Sequence, residues 1–298
     1  MRNLTLRQLR YFEALAQHGH FGRAANACAI SQPALSVQIK ELEESLATEL
    51  FERSARQVRL TNFGEEFALR VRVILRSVDE LAELARASQD HLVGRLRIGV
   101  IPTIAPYLLP DIITNLTVLN NSIDIQIRES LTPVLVRELS DGRLDAAIVA
   151  LPVSEPALTE VSLFEENFVL VRPIRDEDKP VPNHEALREM KLLLLEEGHC
   201  FRDQALSFCN IQSSRPREML DASSLATLVQ MVGAGLGVTL IPEMAIAVET
   251  RSAPVSIAHF SDPQPSRTIG MVWRKTSPLA KQLLQISEVV RKSAGAQA

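Results

Sequence analysis

The hydrophobic period changes once along this chain, near residue 94, and that change constrains the fold more than any other feature. Before it, apolar residues recur at helical spacing. After it, short apolar runs and strict alternations are separated by helical stretches. A period near 3.6 buries one stripe of a helix, and a period of 2 buries one face of a strand. The chain is therefore expected to fold as a helical N-terminal part followed by a larger α/β part. Its 298 residues suggest two domains or three, and 46% apolar with 23% charged residues excludes a disordered or collagen-like chain.

The N-terminal part reads as helices with short breaks. Leu6, Leu9, Phe12, Leu15 and Ala16 form one stripe, Gly19 and Gly22 interrupt it, and Phe21 to Ala29 gives a small alanine-rich helix. Ser31 then offers an N-cap, with Pro33 in the first turn, where a missing N–H costs little. The next helix buries Leu35, Ile39, Leu42 and Leu46 and leaves Pro33, Ser36, Val37 and Lys40 on the opposite face. Such a helix fits a major groove about 12 Å wide, its leading residues meeting base edges. The alternative is an ordinary three-helix packing unit with a solvated face.

Residues 49–60 read as a hairpin with Arg53 and Arg56 at its tip, which is either a wing on the DNA backbone or a solvated turn. Up to Leu60 the chain carries eight Lys or Arg against six Asp or Glu, inside a whole of net charge −4. Any polyanion surface must therefore be local, and this end is where it is expected. From Asn62 to Gln89 a long helix places Phe67, Val71, Ile74, Val78, Leu81 and Ala85 at alternating steps of four and three, a seam for a dimerising coiled coil or for a core.

From Gly94 strands and helices alternate, with strands at Leu96–Ile101, around Ile123–Ile127, at Asp145–Ala150, Phe168–Val171, Leu192–Leu195, Val238–Ile241 and Ile269–Trp273. This rhythm predicts largely parallel sheets with crossover helices, and breaks near Pro152–Pro156 and Pro263–Pro265 suggest two lobes. Ligand sites in such folds lie at strand C-termini, often between lobes. The glycines Gly233, Gly235 and Gly237 follow a helix and precede a strand, the reverse of a dinucleotide loop, so a tight turn is expected and no cofactor. The uncharged window from Ala222 to Pro242 reads as helix, turn and strand in a core.

Three cysteines cannot build a disulfide framework and point to a reducing compartment. Met1 to Gln17 lacks the apolar core of a signal peptide, so a cytoplasmic protein is expected. No zinc-ligand spacing links the histidines to the cysteines, and no metal is expected. Cys28 reads as an inert core residue. Cys200 follows a strand and Gly198 at a helix start, beside His199 and Arg202, surroundings that favour a thiolate. Cys200 and Cys209 on one helix would stand about 13 Å apart, against the 4.4–6.8 Å a disulfide needs between Cα atoms, so a bond would require unwinding. That spacing suits a switch; two buried, inert cysteines remain the alternative.

Phe21 to Ala25, Ser31-Gln32-Pro33-Ala34-Leu35-Ser36, Leu42-Glu43, Leu50 to Arg53 and Leu60 to Gly64 resemble the winged helix-turn-helix of LysR-type transcriptional regulators, and the likeness spans the chain. Ile101 to Pro110 and Gly198 to Ala205 resemble the hydrogen-peroxide-sensing members of that family. The resemblance implies a winged helix-turn-helix over residues 1–61, a linker helix over 62–92 and a regulatory domain over 93–298. That domain is two-lobed, α/β and periplasmic-binding-protein-like, with one lobe about 93–163 and 268–298 and the other about 164–267. It implies DNA contacts from Ser31, Gln32, Pro33, Ser36, Gln38, Lys40 and Arg53. It also implies a homo-oligomer assembled from dimers, with RNA polymerase as a further partner.

By the same resemblance Cys200 is peroxidatic and Cys209 its disulfide partner, with Thr103, Thr132, His199, Arg202 and Asp203 binding or activating hydrogen peroxide. Three other readings stay open on sequence alone: a regulator that binds a small metabolite between its lobes, a thiol peroxidase, and a solute-binding protein.

Overall fold

A computed structural model describes residues 4–53, 58–87, 94–119, 122–209 and 221–295. They divide into two compact units, Met1–Ala85 and Arg86–Ala298.

The first unit starts with α1 (Leu6–His18), whose N-terminus is closed by a reciprocal capping box between Thr5 and Gln8 and whose C-cap is Gly19 at φ +57°. Next come α2 (Phe21–Ala27) and α3 (Gln32–Leu46). Gly22 lies within α2 rather than interrupting the helices, because His20 caps that helix through its ring. Ser31 caps α3 by accepting from the Ala34 N–H, with Pro33 in the first turn. Strands β1 (Phe51–Arg53) and β2 (Val58–Leu60) pair antiparallel, Phe51 opposite Leu60. Arg56, expected at the hairpin tip, lies outside the described residues, as does the side chain of Arg53.

The long helix α4 (Asn62–Ala87) follows. It starts hard against the hairpin: a Cβ on Gly64 would stand 2.2 Å from the Leu50 carbonyl oxygen, so only glycine fits. Phe12, Leu15, Leu35, Ile39, Leu42 and Leu50 are fully buried in one cluster. Each contributes about 1.5–3 kcal/mol of burial. Phe67 and Val71, expected on a seam between subunits, belong to this intrachain core, with Phe67 packed edge-on to Phe12 at 5.0 Å. Ile74 and Leu81 stay exposed, joined by Leu69, Val73 and Leu84. Val78 is half-buried, and the side chain of Ala85 lies outside the described residues.

The second unit opens with β3 (Gly94–Val100), α5 (Ala105–Leu119), β4 (Ile123–Glu129), α6 (Thr132–Ser140) and β5 (Ala146–Leu151). Then come β6 (Leu158–Pro173), α7 (His184–Glu189), β7 (Leu194–Leu195), α8 (Cys200–Phe208) and β8 (Asp221–Ala222). It closes with α9 (Leu225–Gly233), β9 (Thr239–Pro242), α10 (Ile246–Glu249), β10 (Val255–His259), β11 (Ser266–Arg274) and α11 (Ala280–Gly295).

β3 lies between β4 and β5, both pairings parallel, whereas β11 pairs antiparallel with β5 and β6, and β6 antiparallel with β9 and β10. The largely parallel sheet expected from the alternation is therefore only half right. The cause is β6, a single strand of 16 residues that changes partners along its length. Residues 158–167 pair with β11, and Phe168 to Pro173 run between β9 and β10. It thereby crosses from one hydrophobic cluster, with Ile98, Ile148, Met271 and Trp273, to another, with Phe168, Leu194, Phe201 and Val229. Gly233 ends α9 and Gly235 turns at φ +79° before β9, the helix-then-strand order that excludes a dinucleotide loop. Among the described residues no helix is long and apolar enough to cross a membrane.

Candidate functional site

Two parallel neighbours set the rim of the site. Val100 ends β3 opposite Glu129 at the end of β4, and three residues beyond each strand lie Thr103 and Thr132. Equal overhangs on register-matched parallel strands bring both threonines to one edge, at the strand C-termini where ligands bind in α/β folds. Thr103 is buried, and its Oγ1 accepts a 2.8 Å hydrogen bond from Arg267 Nη1. A guanidinium can only donate, so the Thr103 hydroxyl keeps its own hydrogen to offer elsewhere. Thr132 Oγ1 is buried and has no hydrogen-bond partner among the described residues. A buried hydroxyl without a partner costs about 1–3 kcal/mol and is an acceptor and donor in waiting.

The cysteine helix meets this edge. Gly198 stands at φ +95°, and a Cβ there would lie 3.1 Å from Leu131 Cδ1, beside the start of α6. His199 is the N-cap and Cys200 the first residue of α8, so the thiol sits at the positive end of a helix dipole. Cys200 is half-buried and packs against the first cluster, although Phe201, Ala205 and Leu206 of the same helix belong to the second. Cys209, at the other end of α8, is fully buried in the second cluster, and burial pushes its thiol up to about 11. Both cysteines are free. Burial also lowers the His199 imidazole below its ordinary value, against the opposing pull of Glu196, which favours a neutral ring at neutral pH.

Sequence reasoning missed the group that organises this site. Arg267, with no exposed side-chain surface, donates to Glu166 at 2.8 Å and to both the hydroxyl and the carbonyl of Thr103, at 2.8 and 3.0 Å. It also lies 5.4 Å from the centroid of Phe201, the residue after Cys200. One buried cation thus links the Thr103 loop, β6 and the first turn of the cysteine helix. Gln204 was also passed over. One turn below Cys200 on the same face, its Oε1 is buried without a hydrogen-bond partner among the described residues.

Two expected residues take other positions. Arg202 donates to the Leu195 carbonyl at 2.6 Å and to Asp221 at 2.8 Å, so these bonds brace α8 against β7 and β8. A strand carbonyl and a carboxylate engage this guanidinium, both too distant in sequence for adjacency to reveal. Asp203 is exposed in the first turn of α8, where its charge complements the helix end. Thr103, Thr132, His199 and Cys200 are the expected residues that the fold gathers.

The first unit carries a second surface. Ser31, Gln32, Pro33 and Lys40 of α3 are exposed, with Ser36 and Gln38 half-exposed. Gln38 donates to Glu41 at 2.8 Å and Lys40 pairs with Glu44 at 3.7 Å, both weak surface contacts that a phosphate or base can replace. Cys28 caps α2, half-buried against the core, and burial raises its thiol above the ordinary value.

Residues 6–65 match the bacterial regulatory helix-turn-helix proteins of the lysR family, and residues 89–295 match the LysR substrate binding domain. A probable hydrogen peroxide-inducible genes activator from Streptomyces viridosporus is 42% identical over 297 residues, 98% of this chain and 95% of that protein. The DNA-binding transcriptional dual regulator OxyR of Escherichia coli is 41% identical over 293 residues, 97% of this chain and 95% of that one. Among solved structures, a full-length cysteine variant of OxyR from Pseudomonas aeruginosa superposes with a TM-score of 0.77 at 38% identity, covering 98% and 96% of the two chains. The oxidized form of OxyR from Corynebacterium glutamicum has a TM-score of 0.61 at 33% identity, covering 99% and 93%.

Proposed function

The chain belongs to the LysR family of bacterial regulators, and from that premise we propose that it is a hydrogen-peroxide-sensing transcriptional regulator switched by a reversible Cys200–Cys209 disulfide. The observation that carries the reading is the division of the two thiols. They occupy opposite ends of one helix and pack into different hydrophobic clusters. At about 13 Å of helical rise they cannot bond unless α8 unwinds, so oxidation is coupled to refolding.

The chemistry follows from the donors at the rim. Peroxide enters between Thr103 and Thr132, whose hydroxyls donate to it and accept from it, with neutral His199 beside it. The Cys200 thiolate attacks one oxygen, the O–O bond breaks, and hydroxide leaves and is protonated to water, giving a sulfenic acid. Burial pushes the Cys209 thiol up to about 11, which keeps it protonated at neutral pH, and the half-buried Cys200 at the helix start is the attacking residue. Cys209 sulfur then attacks the Cys200 sulfur, the S–O bond breaks, and a second water leaves with a disulfide in place. The bond between Arg202 and Asp221 ties α8 to the far side of residues 210–220 and must be given up as the helix rewinds. A cellular thiol reductant resets the switch, so peroxide is consumed as a signal and not as a substrate for turnover.

The DNA reader is α3 with Ser31, Gln32, Pro33, Ser36, Gln38 and Lys40, and the hairpin with Arg53 contacts the backbone. Exposed Ile74 and Leu81 of α4 join two copies, and the dimers pair into tetramers that act in the cytoplasm with RNA polymerase.

The test combines footprinting with thiol chemistry. Wild-type protein changes its DNA footprint on substoichiometric peroxide. Cys200→Ser does not, and Cys209→Ser accumulates a sulfenic acid at Cys200 that dimedone traps. A peroxide-dependent footprint in Cys200→Ser would overturn the reading.

A further inference from the structure

On the DNA-reading face of α3 a branched apolar side chain stands in solvent. Val37 is 53% exposed, one turn after Pro33 and beside Ser36 and Lys40. The same side chain lines a hollow of about 420 Å³ between the start of α1 and the start of α3, with Arg7, Tyr11, Ile30, Pro33 and Ala34. The hollow has a built cationic edge: Arg7 donates to the Tyr11 hydroxyl at 2.6 Å and its guanidinium stands 5.5 Å from the Tyr11 ring centroid. An apolar floor beside a fixed cation, continuous with a polar helix face, suits one feature of duplex DNA. The thymine C5-methyl is the apolar group on the major-groove edge, and it lies within reach of the phosphate backbone.

We infer that Val37 is a specificity-determining residue, its methyl groups packing on a thymine methyl in each half-site while Pro33 and Ala34 close the contact. The inference rests on α3 being the DNA reader. The neighbouring Ser36 and Lys40 hydrogen-bond or pair with charge and cannot tell thymine from uracil, whereas Val37 can. Removing the C5-methyl removes the contact and leaves every hydrogen-bonding group of the base in place.

The experiment uses the whole chain and a duplex operator enriched by it from random sequence. Each thymine is replaced singly by uracil, and binding is measured for wild type and for Val37→Ala. Alanine raises helix propensity at this exposed site, so the variant keeps the fold. Wild type is expected to lose about fourfold in affinity at one thymine per half-site, the value of one buried methyl. Val37→Ala should bind the thymine operator about that much more weakly and be indifferent to uracil at the same position. Equal uracil penalties for both proteins at every thymine would overturn the role of Val37 while leaving α3 as the reader. Absence of any sequence-selective complex would overturn both.

Discussion

At Cys200 and Cys209 the same side chain has two fates because the surroundings differ: one sits half-buried at a helix start, the other is sealed in a core where its thiol is pushed up to about 11. Their types and spacing were readable from the residues alone. Arg267 was not. It is a lone arginine after a proline-rich turn, and its meaning comes from Glu166 and Thr103, 101 and 164 positions away in sequence. His199 binds its proton less readily in the folded chain than in the unfolded one. Its imidazole is held below the ordinary 6.5 by burial, so in acid the unfolded chain binds a proton there that the folded chain does not. Stability from this residue is complete above pH 6.5 and falls as the pH drops through that value towards the lowered one. Urea titrations from pH 7.5 to 5.0 should show this decline, and His199→Gln should flatten it. An unchanged slope in the variant would mean that another group titrates.

Among the elements, the short helices of the first unit were legible because caps and stripes are local: Ser31, Pro33 and the Leu35–Ile39–Leu42 face stand as read. Helix α4 was legible as a helix but not in its partners. Phe67 and Val71 fall on the same heptad seam as Leu81, yet the first two serve the chain's own core and Leu81 is 67% exposed. A heptad pattern states only that a stripe is buried, not against which chain. If the exposed end of the seam joins two copies, Leu81→Glu should weaken dimerisation by about 100-fold or more, since two leucines lose about 1.5–3 kcal/mol each. Sedimentation equilibrium measures this, with the thermal transition of the regulatory unit unchanged. A dimer of undiminished affinity would move the interface elsewhere. Strand β6 shows the opposite failure. Only Phe168–Val171 reads as a strand, because Glu160, Glu165, Glu166 and Asn167 break the apolar run, and it takes β11 beside it to extend those residues.

On the scale of the whole molecule, β6 and β11 join the two hydrophobic clusters of the regulatory unit, while α8 touches both through different residues. β11 has strand partners on both sides, and β6 has them where it runs between β9 and β10; α8 is held by its packing and by Arg202, with no side-chain bond at its His199 N-cap. Oxidation should therefore be local at its start. Hydrogen exchange after peroxide should show residues 200–208 losing amide protection while β3, β5 and β11 keep theirs. Loss of protection spread evenly across both clusters would instead indicate general unfolding.

The change of period, the helix caps, the glycine order at 233–237 and the helical spacing of Cys200 and Cys209 were properties of the sequence by itself, because each depends on neighbours within a few residues. Tertiary structure decided what lies between distant segments: the partner change along β6, the capture of Phe67 and Val71 by the intrachain core, and the buried Arg267 that ties Thr103 to Glu166 beside the cysteine helix. Periodicity specifies which face of an element is buried. Only the packed fold specifies what that face is buried against, and the rim beside Cys200 is made of such long-range contacts.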